Sequence, residues 1–291
     1  MSKFWLKLIR SISSLIRALP ISVQFFLGDL IGYLWFDILR IRRKTALNNL
    51  LMCFPNWTDE MRLQVARRSV CHIGRCFIEF LRIPSTSKQR DGKLFKIVGE
   101  EHLEKAQSRG RGVFLLTAHI GNGDWATVGL ALHGFHLNVI SKRMTIKWFN
   151  EFWFETRKAL GTEFIPDRGS SLTILKKLKQ RGVVVFLLDQ FMGPPIGVKT
   201  TFFGRETGTA MGLAVLAGRS RAPVVPICTY RDENGLTYIQ FEPEIVFEES
   251  DNKEDTIKNM TQKYCDKIES WVRQYPEQWM WVHRRWKKFK H

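Results

Sequence analysis

From residue 93 onward, short apolar runs alternate with longer segments patterned at helical spacing, and this alternation constrains the fold more than any other feature of the chain. Val113 to Thr117, Leu137 to Ser141, Val183 to Leu188 and Val224 to Tyr230 read as buried strands. Between them Trp125 to Leu132, Trp148 to Leu160, Ser171 to Gln180 and Ala210 to Gly218 read as helices. Strands that are apolar on both faces and separated by helices form crossover units. The pattern therefore predicts an α/β fold built on a mainly parallel, mixed sheet flanked by helices. Gly235 to Phe247 predicts a late pair of strands joined near Pro243, and residues 254 to 273 a final helix.

The first half of the chain is different. "MSKFWLKLIRSISSLIRAL" puts Phe4, Trp5, Leu8, Ile9, Ile12, Leu15, Ile16 and Leu19 on one helical face and Lys3, Lys7, Arg10, Ser14 and Arg17 on the other, a basic amphipathic helix suited to an anionic membrane surface. Ala18 to Leu39 is long enough to cross a bilayer at about 1.5 Å per residue. Pro20, Gln24, Asp29 and Asp37 interrupt it, and a carboxylate at mid-membrane costs about 2.5–3.5 kcal/mol. An embedded or re-entrant hairpin is therefore favoured over a true span; a helix packed on its own domain is the competing reading. "RIRRK" (40 to 44) follows as a membrane-proximal basic cluster. Residues 45 to 83 read as helices broken at Pro55 and Trp57, the second opening on Thr58 as N-cap. With no linker or internal repeat, the simplest division is a membrane-associating region over 1–45 and a catalytic domain over 46–291.

Forty-five Lys and Arg against 28 Asp and Glu give a net charge of +17, which implies a polyanionic partner: acidic lipid headgroups, an acidic carrier protein or nucleic acid. Five cysteines without CxxC spacing predict reduced thiols and no metal site. The N-terminus lacks the small-residue cleavage site of a signal peptide. The chain contains no G-x-S-x-G elbow, Walker loop or H-E-x-x-H, which removes the commonest hydrolase, phosphate-loop and zinc-protease chemistries.

One strand runs directly into chemistry. In "VFLLTAHIGNGDW" the predicted strand Val113 to Thr117 ends on His119, a Gly-Asn-Gly turn and Asp124. Ligands bind beyond the carboxyl ends of strands in such sheets. An acid five residues from a histidine across a turn can hold one ring nitrogen protonated and leave the other to take a proton from a substrate hydroxyl. The bland alternative is a helix N-terminus beside a bystander histidine. Gly121, Gly123 and Ala126 also spell a dinucleotide fingerprint, but Asp124 would stand close to the pyrophosphate and no acid occupies the ribose position.

The remaining motifs point to a family. "LLDQ" (187 to 190), "TFFGRETGTAMGLAVLA" (201 to 217), "APVVPI" (222 to 227) and above all "YPEQWMWVHRRWK" (275 to 287) resemble, in order and spacing, the bacterial lipid A biosynthesis acyltransferases, within the wider lysophospholipid acyltransferase superfamily. The resemblance covers nearly the whole chain. It implies acyl transfer from an acyl carrier protein or coenzyme A thioester to a hydroxyl of a lipid A precursor or related glycolipid, at the cytoplasmic face of the bacterial inner membrane, with no metal or redox cofactor. In that family the histidine and acid of the turn are the catalytic pair, matched here by His119 and Asp124, with Gly121 and Asn122 between them. Members acting on lipid A commonly carry glutamate as that acid; aspartate is common in the wider superfamily.

The same resemblance extends to substrate-binding positions. Arg143, in preference to Lys142, resembles the basic residue of the second motif, and Arg157 is a further candidate against a plain surface arginine. Asp189 and Gln190 end an apolar strand where the family carries an aspartate; a turn or cap carboxylate is the alternative. Phe203, Gly204 and Thr209 resemble the segment lining the acyl or acceptor site. Glu79 matches a family glutamate and is assigned no role. The basic, aromatic C-terminus would also suit single-stranded nucleic acid, but with the amphipathic N-terminus the expected partners are lipid and acyl carrier protein, and no nucleic acid.

Overall fold

The computed structural model describes residues 3–142 and 147–289. Its helical first part consists of α1 (Lys3–Ala18), α2 (Ile21–Tyr33) running on through a π-helical turn (Leu34–Ile38), α3 (Arg43–Cys53), α4 (Asp59–Arg82) and the short α5 (Lys88–Asp91). The α/β part follows as β1 (Phe95–Val98), α6 (Glu100–Gln107), β2 (Val113–Thr117), α7 (Gly123–Leu132), β3 (Leu137–Ser141), α8 (Lys147–Lys158), β4 (Thr162–Pro166), α9 (Ser171–Lys179) and β5 (Val183–Leu187). Then come β6 (Gly197–Phe202), β7 (Arg205–Ala210), α10 (Gly212–Ser220), β8 (Val224–Arg231), β9 (Thr237–Phe241) and α11 (Lys253–Gln274).

Seven strands form one sheet in the order β1-β9-β8-β2-β5-β3-β4, parallel throughout except at β8–β9. The mainly parallel mixed sheet read from the sequence is thus the one observed. β2 lies at its centre and is buried along its whole length. Phe114 and Leu116 join the core that includes Leu213, Leu216 and Trp271 from α10 and α11; Val113 and Leu115 join the core that includes Trp125 and Val128 from α7. This is the period-2 division of a strand covered on both faces.

The expected strand pair over 235–247 is one strand, β9. Beyond it Glu242 and Ile245 still donate to Pro226 and Val224 on β8, but Pro243 has no N–H to continue a ladder. β1, β4 and the separate β6–β7 hairpin are strands beyond those predicted from the sequence. The hairpin closes through Phe203 and Gly204, both at positive φ (55° and 67°), as two-residue hairpin turns require.

α2 lies against α4 at close range. A Cβ on Gly32 would come within 2.3 Å of the Cys71 backbone, and one on Gly74 within 2.0 Å of Gly28 O. The polar residues interrupting the apolar run all face the protein. Gln24 is buried and bonds Leu19 O and Arg82; Asp29 binds Arg75 through both oxygens at 2.6 Å; Asp37 binds Arg67 at 2.8 Å. Phe26, Leu30, Leu34 and Ile38 point outward. On α1, Ser13 and Ile16 are buried while Leu8, Ile12 and Leu15 are exposed, so a second apolar stripe faces out. Ile21–Ile38 is the one helical segment among the described residues long and apolar enough to cross a membrane.

Candidate active site

The parallel register of β2 and β5 sets Thr117 opposite Leu187, so the residues two places on, His119 and Asp189, leave the sheet side by side at its carboxyl end. His119 Nδ1 meets Asp189 Oδ1 at 2.7 Å, and Asp189 Oδ2 accepts from the His119 backbone N–H at 3.0 Å and from the Trp279 indole at 2.8 Å. The carboxylate can only accept, so the neutral ring carries its proton on Nδ1 and presents a lone pair on Nε2. Burial opposes charge on His119, but the Asp189 charge and hydrogen bond, with Asp124 behind them, outweigh it and hold the pKa above the ordinary histidine value. Burial likewise works against ionised Asp189, but His119 and the indole hold it well below the usual carboxylate range. The His119 side chain keeps 36% of its surface open, so the ring is reachable from outside although Asp189 beneath it is buried.

The turn after His119 is held from beneath. Gly121, at φ +59°, lies so close to β8 that a Cβ would come within 2.3 Å of Thr229 O, which restricts the position to glycine. Its N–H donates to Gln278 O at 3.0 Å, and its carbonyl accepts from His72 Nε2 at 2.9 Å. Burial and the Arg231 charge push His72 down to about 3, so it is neutral there. Asn122 caps α7, its Oδ1 accepting from Trp125 N at 3.2 Å while its Nδ2 donates to Glu79 Oε2 at 2.7 Å. Glu79 also receives Arg231, and all three side chains are buried. A turn filled in this way by its own protein leaves Gly121 no role as a pyrophosphate cradle. Glu79, given no task by the sequence, anchors the cap.

Asp124 stands in the first turn of α7, but the acid that holds the His119 ring nitrogen is Asp189, contrary to the nearest-acid expectation. Asp124 turns to Arg157 at 2.6 Å. Arg157 is 1% exposed, with its guanidinium 3.6 Å from the Trp153 ring centre, so the surface-arginine alternative fails. Burial raises the Asp124 pKa and lowers that of Arg157, each resisted by the other's charge. Asp124 remains near enough to His119 to favour its imidazolium.

Gln190 and Phe191 continue from Asp189. The Gln190 carbonyl accepts from Arg285 at 2.8 Å, and Arg285 also binds Gly208 O and Thr209 Oγ1, both at 2.6 Å. Thr209 is therefore buried behind the site rather than lining it. Phe203 and Gly204 form the β6–β7 turn, where Phe203 packs on Phe54 and Trp281 in the core. Lys142 is exposed at the end of β3, and Arg143 lies outside the described residues. Trp279 and Trp281 are buried, which withdraws them as platforms for nucleic-acid bases. Among the described residues no His, Cys, Asp and Glu side chains gather in a group able to hold a metal.

The sequence model of the bacterial lipid A biosynthesis acyltransferases matches residues 2–288. A lipid A biosynthesis acyltransferase of Haemophilus influenzae is 27% identical over 83% of this chain and 74% of its own length. A lipid A biosynthesis lauroyltransferase of Escherichia coli K12 is 27% identical over 94% of this chain and 88% of its own. A phosphatidylinositol mannoside acyltransferase of Mycolicibacterium smegmatis is 25% identical over 76% of this chain and 71% of its own.

Proposed function

The chain belongs to the bacterial lipid A biosynthesis acyltransferase family, and from that premise we propose that it moves a fatty acyl chain from a carrier-protein or coenzyme A thioester to a hydroxyl of a lipid A precursor or related glycolipid. The observation that carries this reading is the part-exposed His119 ring, whose tautomer, with Nε2 free to accept, is set by Asp189 just past the end of the adjacent strand β5. A base with a raised pKa at the carboxyl end of a parallel sheet suits abstraction of an alcohol proton. The hydroxyl proton passes to Nε2 as the oxygen bonds to the thioester carbon. Collapse of the tetrahedral species breaks the C–S bond, and His119 returns the proton to the departing thiolate. Asp189 stabilises the imidazolium between those steps, with Asp124 adding charge from the second side.

The outward apolar stripes of α1 and α2 support a seat at the inner membrane, where an amphiphilic acceptor resides. The net charge of +17 suits an acidic carrier protein on the cytoplasmic side. Mass spectrometry of lipids from cells lacking the protein, restored with wild type or with His119→Ala, tests the reading. A glycolipid one acyl chain short, restored by wild type alone, is the expected result and names the acceptor. Unchanged lipids together with inactive purified protein on acyl thioesters would overturn it.

A further inference from the structure

The free nitrogen of His119 already has a neighbour. The Gln190 side-chain amide lies 3.4 Å from Nε2. Since that nitrogen presents a lone pair, only the NH2 end of the amide can face it, and the Asp189–His119 bond thereby fixes the amide's orientation as well as the tautomer. The peptide on either side is pinned at three successive residues. Asp189 is held by His119 N and the Trp279 indole, the Gln190 carbonyl by Arg285, and the Phe191 N–H by His283 Nε2 at 3.4 Å. The exposed Gln190 side chain is thus carried on a fixed backbone with its donor turned into the site.

A hydroxyl attacked by base at Nε2 lies about 2.6–3.2 Å from it. The oxygen of the attacked carbonyl is two bonds further on, within reach of an amide that already touches the same nitrogen. Among the described residues the nearby buried cations are committed elsewhere, Arg157 to Asp124 and Arg285 to backbone carbonyls. We propose that Gln190 Nε2 donates the hydrogen bond that stabilises the tetrahedral oxyanion, its resting contact with His119 giving way to the acceptor hydroxyl. As the C–O bond forms, the carbonyl π pair moves onto oxygen and is met by the Gln190 N–H. When the pair returns, the C–S bond breaks and the amide is released. This assignment rests on the acyl-transfer reading above and adds a catalytic group to it.

The test uses the full-length protein with lauroyl coenzyme A or its carrier-protein thioester, and the glycolipid acceptor named by the lipid analysis. Gln190→Ala and the isosteric Gln190→Glu are both expected to lower kcat about 10²-fold with KM little changed, the loss typical of removing one oxyanion donor. The dithioester analogue, whose carbonyl oxygen is replaced by sulfur, binds such donors poorly; wild type slows on it, and Gln190→Ala slows no further. Equal penalties for Gln190→Ala on both donors, or a kcat unchanged in either variant, would overturn the assignment and leave the backbone N–H groups at the start of α7 as donors. Wild type without transfer on any thioester would instead sink the acyl-transfer reading itself.

Discussion

Asn122 donates its side-chain amide to Glu79 across 2.7 Å, and this bond fixes which end of the amide faces the turn after His119. With Nδ2 committed, Oδ1 is left to cap α7, the helix that carries Asp124. Glu79 is also the counter-ion of buried Arg231. Removing the acid strands a buried charge, which costs about 3–5 kcal/mol. Glu79→Ala is expected to lower unfolding stability by that order in chemical denaturation. Glu79→Gln, which keeps an acceptor for Asn122, should lose less and retain more transfer. Equal stability of wild type and Glu79→Ala would remove the anchoring role.

Asp189→Asn has a sharper consequence. Oδ2 serves two donors, the His119 backbone N–H and the Trp279 indole, while Oδ1 serves the ring. An asparagine oxygen would be claimed by the two donors, leaving NH2 toward Nδ1. The ring must then accept there and carry its proton on Nε2, the wrong tautomer for a base. Loss of kcat on the order of 10⁴-fold is expected. The acid limb of kcat/KM tells the same story. In wild type it is expected above the ordinary histidine value, because Asp189 favours the imidazolium against burial; in Asp189→Asn the residual activity should titrate at lower pH. The corresponding contribution to stability is present below 6.5 and fades as pH rises through the folded value. A limb that stays in place in the variant would contradict this account.

The same residues mark how far a sequence can be read. β2 and β3 fall on the runs Val113 to Thr117 and Leu137 to Ser141, and Thr58 caps α4 by accepting from Met61 N, because alternation and capping are local physics. The acid that holds the His119 ring is another matter. Spacing favours the near carboxylate, Asp124, whereas parallel pairing delivers Asp189 from 70 residues away, and strand order is not written in spacing. Glu79 and Arg231 are 152 residues apart. A hint existed: His72 and Glu79 are seven residues apart on one face of α4, an inward polar stripe that a packed helix keeps only with partners. The β6–β7 hairpin escaped because Phe203-Gly204 is not an Asn-Gly or Asp-Gly turn.

Asp124 and Arg157 can be separated from each other by a cycle. Asp124→Ala leaves the guanidinium buried beneath Trp153 without its carboxylate, so both stability and transfer should fall; the loss of stability is tempered because the Asp124 side chain is 35% exposed. Arg157→Met added to Asp124→Ala removes the stranded charge and is expected to recover stability in denaturant titrations. If Asp124 also supports the imidazolium of His119, kcat stays low in the double variant. Full recovery of kcat would reduce Asp124 to a partner for Arg157.

The outward stripe of α1 gives a prediction that separates membrane seating from folding. Leu8, Ile12 and Leu15 are 38%, 41% and 67% exposed, while Ile16 on the same helix is 8% exposed and sits on the domain. Moving an aliphatic side chain from water into the acyl region contributes about 1.5–3 kcal/mol. Replacing Leu8, Ile12 and Leu15 together by glutamate should therefore weaken binding to vesicles of anionic phospholipid by more than about 100-fold. The thermal transition and any transfer to a detergent-dispersed acceptor should change little. Ile16→Glu is expected to do the reverse, lowering the transition by placing a charge at a buried position of α1 while leaving the outer stripe whole. Vesicle binding retained in the triple variant would place the membrane seat on α2 alone, along Phe26, Leu30, Leu34 and Ile38.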